Sequence, residues 1–450
     1  MRRDYVYIKL IQPKMKKRPM DTELKIRMSP SLGLLTVANI LRSEHTVVLE
    51  NENIKKITYD KPDIVGITVT VDTLPAAIKI AKVFRENGSI VVAGGIHITT
   101  AFDTIPEDSF DVLCVGAAEG TWEHIVKDYE LGKLEKIYMC DKSISGKDIV
   151  SPAYDMIKSS EYLYCNIIHT SRGCPFQCDF CYNSGKNHRY MNRDIEAVLK
   201  DIEKISSKHI MFVDDNFVGN PAWTREFLKR IKPLKLKWNA AVSLNVAEDL
   251  EMLDLMKESG CQSLFIGFES INSDSIHNVH KIQNDIQKYE TAIKAIHDRG
   301  IMINASFVFG LDGDTKETFR YILEWIVKNK IETVTSHILT PYPGTELYQQ
   351  LEKQGRITSK DLSLYNTAHV VFEPKGMSAQ ELYDGYIWIY KQIYSFKNIF
   401  RRMPKAKEQR PPYFMFNIFY RKFGKFTELL CKCITYKRIG KWGEKLSKYL

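Results

Sequence analysis

The stretch SRGCPFQCDFCY, residues 171–182, organises the interpretation of the whole chain. It places Cys174, Cys178 and Cys181 in the spacing C-x-x-x-C-x-x-C. Cysteine thiolates are soft ligands that suit iron–sulfur clusters. A cluster of four irons needs four ligands, so three cysteines leave one iron open to a substrate or cofactor, much as a catalytic zinc keeps an open position. The run therefore predicts a 4Fe-4S cluster with one open iron.

Three buried or zinc-binding cysteines are the alternative for this run. Zinc would need a fourth Cys or His at a comparable spacing. His188 is the nearest candidate, seven residues after Cys181, and that separation fits no usual zinc motif. The spacing therefore favours the cluster.

Length, cysteine usage and the first residues limit the class of protein. The 450 residues have room for two or three domains. The nine cysteines are sparse outside residues 171–182, which does not suit a disulfide framework, and an open iron–sulfur site needs a reducing compartment. Residues 1–9 are basic but lack an apolar h-region, and no run approaches the length of a membrane span. We therefore expect a cytoplasmic protein.

The positive charge is concentrated in the last part of the chain. Residues 391–450 contain sixteen Lys and Arg against three Glu, a net of +13, so the rest sums to −4 of the total +9. The same segment is also rich in aromatic residues, for example in 412–426. The pattern allows a solvated basic face with a packed aromatic side, or peripheral contact with an anionic membrane surface. Nucleic acid is the least favoured partner, because no recognised module is present. Cys431 and Cys433 are too few for a second cluster.

Residues 1–141 alternate between strand-like and helix-like segments. Strand-like apolar runs occur at 5–11, 46–49, 63–69, 90–93 and 111–115. One helix is predicted at 31–42, and another starts near Asp72 or Thr73 and ends at Gly88. This alternation predicts a Rossmann-like parallel sheet with helices on both faces, which binds ligands at the carboxyl ends of its strands. The strand-end candidates are Thr68, Thr70, Gly94, Gly95, His97 and Gly116.

Residues 161–355 contain repeated strand–helix units. The predicted strands are 164–169, 209–213, 236–243, 263–268, 301–309 and 332–339. The predicted helices are 195–205, 223–231, 248–259, 286–299 and 315–328. Six units are fewer than the eight that close a barrel. Residues 142–160 lack periodicity and are predicted to be a linker, and 356–450 are predicted to form a mostly helical, basic and aromatic extension with a helix at 379–397.

The cysteine run, with its Ser-Arg-Gly lead-in and with Phe180 before the last cysteine, resembles the radical S-adenosylmethionine (SAM) superfamily. In that superfamily the amino and carboxylate groups of SAM chelate the open iron. An electron from the cluster then cleaves SAM to a 5′-deoxyadenosyl radical. The resemblance implies that Cys174, Cys178 and Cys181 hold the cluster, and that the six units form an open partial (β/α)6 barrel.

The resemblance also implies SAM contacts at the strand ends. Asp214 and Asp215 resemble the acidic turn near the SAM amino group, although a capped turn before the next helix is an equal alternative. Glu269 belongs to a stretch that resembles the G-x-E-S element around the SAM ribose, and Gly310 resembles the glycine turn near adenine. The candidates for SAM binding are Phe180, Asp214, Asp215, Ser243, Asn245, Glu269 and Gly310.

A second resemblance covers the first third of the chain. The segments 29–33, 66–70, 94–99 and 115–119 are similar to the cobalamin-binding domain that precedes many radical SAM cores, and 340–345 is similar to the P-Y-P-G-T element of the same enzymes. There is no D-x-H-x-x-G run, so that motif supplies no lower cobalt ligand, and the usual G-E-G-E has become GAAE. A domain that kept its fold and lost its ligand is the alternative. The implied cobalamin contacts are Gly33, Thr68, Thr70, Gly94, Gly95, His97, Gly116 and Glu119, with His97 as a turn or cofactor-contact residue rather than a cobalt ligand.

Together the two resemblances imply a cobalamin-associated radical SAM enzyme that abstracts hydrogen from an unactivated carbon and transfers a methyl group to it from methylcobalamin. The implied partners are a small-molecule, lipid or peptide substrate and an electron donor such as flavodoxin or ferredoxin. A radical SAM cyclase or oxidoreductase, with or without cobalamin, is the alternative enzyme, and a non-catalytic iron–sulfur sensor or scaffold is the alternative of another class. A tRNA methylthiotransferase would need a second three-cysteine set, which Cys114 and Cys140 do not supply.

Overall fold

A computed structural model describes residues 5–21, 29–141, 143–162, 164–184, 189–205 and 207–420. Over these ranges the chain forms two six-stranded sheets, each entirely parallel, together with a small antiparallel pair. The predicted α/β class with parallel sheets is therefore confirmed. The basic tail after residue 420, with Cys431 and Cys433, and the zinc candidate His188 lie outside the described residues.

The first sheet has the strand order β2-β1-β3-β4-β5-β6. Its strands are β1 Tyr7–Gln12, β2 Thr46–Asn51, β3 Ile64–Thr68, β4 Ile90–Gly94, β5 Val112–Val115 and β6 Ile137–Met139. The connecting helices are α1 Leu32–Leu41, α2 Leu74–Glu86, α3 Ile96–Ala101 and α4 Thr121–Leu131. Both faces of the central strand β3 are covered, which explains its continuous apolar run. The five predicted strands and two predicted helices are present, whereas β6, α3 and α4 were not predicted.

Local chemistry sets the ends of these helices. The Ser31 hydroxyl accepts a hydrogen bond from the amide of Leu34 and begins α1. Before α2, Val71–Thr73 form one turn of 3₁₀ helix, and the Thr73 hydroxyl accepts from the Thr70 amide at 2.9 Å. Thr73 is the N-cap residue of α2, as predicted, but its side chain does not cap that helix because it is committed to the preceding turn.

The second sheet has the order β14-β13-β12-β11-β10-β7, so each strand lies beside the strand that precedes it in the sheet along the chain. Its strands are β7 Ile167–Ile168, β10 His209–Phe212, β11 Lys237–Val242, β12 Cys261–Glu269, β13 Met302–Phe309 and β14 Thr333–Ile338. The small pair consists of β8 Ser171–Arg172 and β9 Met191–Asn192. The six strands agree with the six predicted units, although β7 is shorter than the predicted 164–169 because only two of its residues pair with β10.

Helices follow the strands of the second sheet. They are α5 Ile195–Lys204, α6 Pro221–Ile231, α7 Leu250–Glu258, α8 Ser273–His277, α9 Tyr289–Asp298, α10 Thr318–Lys328 and α11 Glu346–Lys353. Two groups of packed rings fill the space between this sheet and its helices: one contains Phe212, Phe217, Phe227 and Trp238, and the other Phe268, Tyr289, Phe307 and Trp325. The core therefore holds the strand ends rigidly, where the predicted site residues lie.

The C-terminal part continues with α12 Ala379–Ile393, α13 Phe396–Arg402 and α14 Arg410–Tyr420. The single helix predicted at 379–397 is wrong: the Ser395 hydroxyl accepts from the Asn398 amide and starts a new helix at Phe396. The fully buried Arg402 donates to the carbonyls of Ile331 and Glu332 just before β14. This part of the chain is therefore anchored to the second sheet.

The predicted linker 142–160 contains only short 3₁₀ turns in its described part. It packs on the first sheet's helices, since the Ala153 amide donates to the carbonyl of Leu35 at 3.0 Å. The predicted domain limits remain a prediction. Over the described ranges, no helix combines the length and apolarity that crossing a bilayer requires.

Candidate functional site

The three cysteines lie on the loop that follows β8. Cys178 is buried, and Cys174 and Cys181 are half-buried. Burial raises the pKa of all three thiols, that of Cys181 to about 12, and the neighbouring cysteines contribute to the rise for Cys174 and Cys181. Three thiols that affect each other's ionisation lie in one small region. Because metal ligands are thiolates, such a region needs the compensating positive charge of bound iron.

The geometry of the loop distinguishes a cluster from a single metal ion. Among the described residues, no three His, Cys, Asp or Glu side chains converge closely enough to hold one ion. A four-iron cluster does not require such convergence, because each cysteine binds a different iron. The Gln283 side chain donates a hydrogen bond to Cys178 Sγ at 3.4 Å, a type of contact that tunes cluster sulfurs. The loop therefore offers a cysteine sulfur with the kind of hydrogen bond that a cluster ligand receives.

The acidic pair at the end of β10 divides into two roles. Asp214 is buried, and its Oδ1 accepts from both the amides and the hydroxyls of Thr170 and Ser171. Asp215 is exposed and accepts a hydrogen bond from the Asn183 side chain at 2.6 Å. Its negative charge contributes to the raised pKa of Cys174. Asp214 therefore fits the alternative of a structural role, because it holds the segment that leads into the cysteine loop.

Glu269 terminates β12 in a strained conformation. Its φ is +61°, and the pairing with β13 shifts register between Gly267 and Glu269. Non-glycine residues in this region cost about 1–3 kcal/mol each and cluster at functional sites. The carboxylate forms a buried ion pair with Lys281, whose Nζ also lies 6.0 Å from the ring centroid of Phe180. Lys281 was missed by the sequence analysis, because nothing in its local pattern shows that it returns to a strand end twelve residues earlier.

Several buried oxygens near these strand ends lack a hydrogen-bond partner in the described part of the chain. They are Oδ2 of Asp214, Oε1 of Gln283, Oδ1 of Asn284 and Oδ1 of Asp314. Leaving buried acceptors unpaired is costly, so each indicates an absent donor such as water or a ligand. SAM carries an ammonium group, ribose hydroxyls and an adenine amino group, all donors. The residues present therefore fit SAM at this edge of the sheet.

For the remaining SAM candidates, the structure gives less direct support for contact with SAM. The Ser243 hydroxyl accepts from Asn216 at 3.3 Å, and Asn245 is exposed. Gly310 has φ +98° and its amide donates to Asp314 at 2.9 Å, but a Cβ there would lie 2.7 Å from Leu382 of α12. Gly310 therefore serves a tight turn packed against α12.

The glycines predicted for cobalamin differ in how much space surrounds them. Gly95 has φ +103°, and a Cβ would lie 2.9 Å from backbone atoms of Val69. At Gly116, φ is +94° and a Cβ would lie 2.2 Å from Cys140 Sγ. Gly94 pairs with Thr68 in the sheet, while Gly33 in α1 has open space around it. Gly95 and Gly116 thus shape the carboxyl edge of the first sheet.

Glu119 joins the two halves of the molecule. Its carboxylate accepts two hydrogen bonds from the Arg172 guanidinium, at 2.9 and 2.8 Å, and one from the Val150 amide at 3.1 Å. Burial raises the pKa of Glu119, but the Arg172 guanidinium and the backbone hydrogen bonds together lower it below its usual range. Glu119 is thus committed to the strand before the cysteine loop, a contact between residues 53 positions apart that local sequence patterns do not indicate.

A second contact brings the two sheets' edges together. The Nδ1 atom of the buried His97, at the start of α3, lies 2.9 Å from the hydroxyl of Tyr182, the residue after Cys181. The Tyr182 ring stacks on Tyr342 with centroids 4.6 Å apart. On the first sheet's side, Thr70 donates to Asp72 at 2.7 Å. The predicted cobalamin edge therefore faces the cysteine loop.

Replacing Gly95 with alanine is expected to lower the free energy of unfolding by roughly 1–3 kcal/mol, because the residue needs a backbone conformation that only glycine adopts cheaply. Gly33→Ala is the matched control, since no atom lies within 4 Å of its added methyl and helix propensity favours alanine. Urea denaturation of both variants measures the difference. Equal stability of the two variants would contradict the described turn.

Comparisons with known proteins agree with this geometry. The sequence model of the radical SAM superfamily matches residues 168–326, and a model described as a domain of unknown function, DUF4070, matches residues 345–414. The chain is 29% identical over 410 residues to bacteriochlorophyllide d C-12(1)-methyltransferase of Chlorobaculum tepidum, covering 88% of each protein. It is 28% identical over 385 residues to the anaerobic magnesium-protoporphyrin IX monomethyl ester cyclase of Cereibacter sphaeroides, covering 77% of this chain and 62% of the relative.

A solved structure shares the fold over most of the chain. It is the radical SAM methyltransferase TsrM of Kitasatospora setae with cobalamin and a 4Fe-4S cluster bound, with a TM-score of 0.63 and 16% identity over 78% of this chain and 75% of that one. The cysteine loop, the two parallel sheets and these matches lead to one conclusion. The chain is an enzyme of the radical SAM superfamily, and the curated proteins that it resembles over most of its length include methyltransferases and cyclases.

Proposed function

We propose that the protein transfers a methyl group to an unactivated carbon of its substrate. The observation that carries the proposal is the 2.9 Å contact between His97 and Tyr182, which sets the predicted cobalamin edge against the cysteine loop. Methyl transfer to a carbon radical requires the radical source and the methyl donor to face one substrate.

We further propose the domain limits 1–141, 142–160, 161–355 and 356–450, with the third segment as an open partial barrel. The first would hold cobalamin at the strand-end residues named above, and the third would hold the cluster and SAM. When bound, these groups supply the radical and the methyl group. The contribution of the chain is to bind them, orient them and exclude water.

The chain's own groups divide this work. Cys174, Cys178 and Cys181 would hold three irons. The Glu269–Lys281 pair would orient SAM, because a carboxylate can accept from ribose hydroxyls while the ammonium provides the partner that a buried carboxylate needs. The unpaired oxygens near them would accept the remaining SAM donors.

The reaction balance supplies the test. Converting one C–H bond to C–CH₃ consumes one SAM as methyl donor, which becomes S-adenosylhomocysteine, and one as radical source, which becomes 5′-deoxyadenosine and methionine. Two electrons come from an external one-electron carrier such as flavodoxin or ferredoxin. With SAM labelled in its methyl group, a candidate hydrophobic substrate and hydroxocobalamin, we expect label in the substrate and both adenosyl products in equal amounts.

The cyclase relative motivates a second candidate, a radical cyclase or oxidoreductase. Such a reaction forms 5′-deoxyadenosine without S-adenosylhomocysteine and leaves the substrate unlabelled. That result would replace methyl transfer as the proposed activity. An intact cluster that never cleaves SAM in the presence of reductant and substrate would instead favour the sensor or scaffold.

We also propose that the end of the described chain contacts anionic membrane surfaces. Phe396 and Phe400 on α13 are 51% and 62% exposed. Lys397, Arg401 and Lys405 lie beside them, and none forms an ion pair with a carboxylate in the described ranges. Unpaired bases around exposed rings suit the interface of an anionic bilayer, where each base contributes about 1 kcal/mol.

Vesicle sedimentation tests this contact. The full chain is expected to sediment with vesicles that contain phosphatidylserine but not with phosphatidylcholine alone. The double variant Phe396→Ser/Phe400→Ser should lose most of this binding. Tyr321→Ser, on the exposed face of α10, is the control because Tyr321 is also 51% exposed but lies outside the basic segment. Equal sedimentation of both variants would remove α13 from the proposal.

A further inference from the structure

His97 is a buried histidine with one satisfied and one unsatisfied nitrogen. Its solvent exposure is 0%, and Nδ1 pairs with the Tyr182 hydroxyl. Nε2 has no hydrogen-bond partner among the described residues. An unpaired buried polar atom typically costs about 1–3 kcal/mol, so a histidine kept in this state indicates a ligand atom that completes it.

The position of His97 specifies which ligand. The residue lies two positions after Gly95, beyond the carboxyl end of β4, where ligands of parallel sheets bind. Burial lowers the pKa of His97 to about 4, so the imidazole is neutral and has one donor and one acceptor nitrogen. A neutral imidazole suits an uncharged polar group such as the side-chain amides of a corrinoid.

The Nδ1 atom of His97 connects the residue to the cysteine loop through Tyr182. Tyr182 is covalently next to Cys181, and its ring is held on Tyr342 at an interplanar angle of 21°. A ring fixed by stacking on one side and by a hydrogen bond at its hydroxyl has little freedom. The imidazole of His97 is therefore connected by one hydrogen bond to the residue next to the third predicted cluster ligand.

We propose that His97 is a positioning residue that links the two cofactor sites, with Nε2 bonded to the ligand on the first sheet and Nδ1 bonded to Tyr182. This rests on the proposed function in one respect, that the ligand is a corrinoid. Occupancy of the first site then sets the orientation of the cysteine loop, so that the cluster responds to the ligand without touching it.

Two amide substitutions separate the two nitrogens. The asparagine amide of His97→Asn lies near the place of Nδ1, whereas the glutamine amide of His97→Gln reaches the place of Nε2. Hydroxocobalamin affinity of the full-length chain is measured by the change in corrin absorbance. His97→Asn should weaken it by roughly fivefold to tenfold, the loss of one hydrogen bond, and His97→Gln should keep it within about twofold.

The coupling itself is read from the electron paramagnetic resonance spectrum of the reduced cluster. In the wild type, adding hydroxocobalamin should change this spectrum. The change should disappear in His97→Asn, even at saturating corrinoid, and also in His97→Gln and Tyr182→Phe, because each variant lacks one of the two bonds of the link; Tyr182→Phe should still bind corrinoid. Tyr342→Phe is the control, since it also loses one hydroxyl from the ring stack and that hydroxyl has no partner among the described residues.

Different failures identify different errors. If the wild type binds corrinoid but Tyr182→Phe keeps the spectral change, the coupling is wrong and the proposed function stands. If His97→Asn and His97→Gln bind corrinoid equally, the assignment of Nε2 is wrong. If the wild type binds no corrinoid, the cobalamin part of the proposed function is wrong, and the role inferred for His97 is wrong as well.

Discussion

Replacing Cys178 with alanine is expected to abolish formation of 5′-deoxyadenosine. Cys178 is one of only three thiolates available to the cluster in the C-x-x-x-C-x-x-C run, and it is the buried one. A cluster with two protein ligands is not held, so the open iron that binds SAM is lost. Anaerobic reconstitution with iron and sulfide, followed by iron analysis and a dithionite-driven SAM cleavage assay, measures both steps.

Cys261→Ala is the matched control for this experiment. Cys261 is also a buried thiol, but it begins β12, at the opposite end of the strand from Glu269. This variant should retain full iron content and SAM cleavage. Cleavage by Cys178→Ala at the rate of the Cys261→Ala control would show that the cluster has another third ligand.

Replacing Lys281 with methionine is expected to lower the free energy of unfolding by roughly 3–5 kcal/mol, because it leaves the buried carboxylate of Glu269 without a counter-ion. SAM affinity should fall as well, because the carboxylate of Glu269 loses the ammonium group that holds it in place. Urea denaturation measures the first effect, and equilibrium dialysis with the reconstituted enzyme measures the second.

The double variant Glu269→Gln/Lys281→Met separates structure from binding. Removing both charges should restore most of the lost stability, since no uncompensated ion remains. SAM affinity should stay low, because the carboxylate is absent. A double variant that regains SAM affinity together with stability would restrict Glu269 and Lys281 to a structural role.

The strands of both sheets other than the short β6 were predictable because their apolar runs are long and end in glycine or polar turns. The strand Ile64–Thr68 and the whole of Met302–Phe309 are examples. The break before α13 was not predictable from hydrophobic spacing, which continues through it. It depends on whether Ser395 caps a new helix or stays within the old one, and both are compatible with the sequence.

The site was predictable only where one short segment carries it. The cysteine run contains all three predicted cluster ligands. In contrast, the partners of Glu119 and Glu269 come from other segments that the fold brings close. Asp214 shows the opposite difficulty: its residue type and strand-end place suit SAM, yet one of its oxygens is fully used in holding Thr170 and Ser171. Sequence patterns place such residues at the correct edge of the sheet but do not reveal which partner each one takes.

The bond between Glu119 and Arg172 has a consequence for engineering and for descent within the family. The acid lies in the first sheet's segment and the arginine in the lead-in to the cysteines, so exchanging the second segment alone would leave the buried carboxylate of Glu119 without its counter-ion. A chimera that joins residues 1–141 of this chain to the radical core of a relative should fold well only if that core carries an arginine in register. Recombination between relatives is therefore constrained to cross-overs that inherit both residues from one parent.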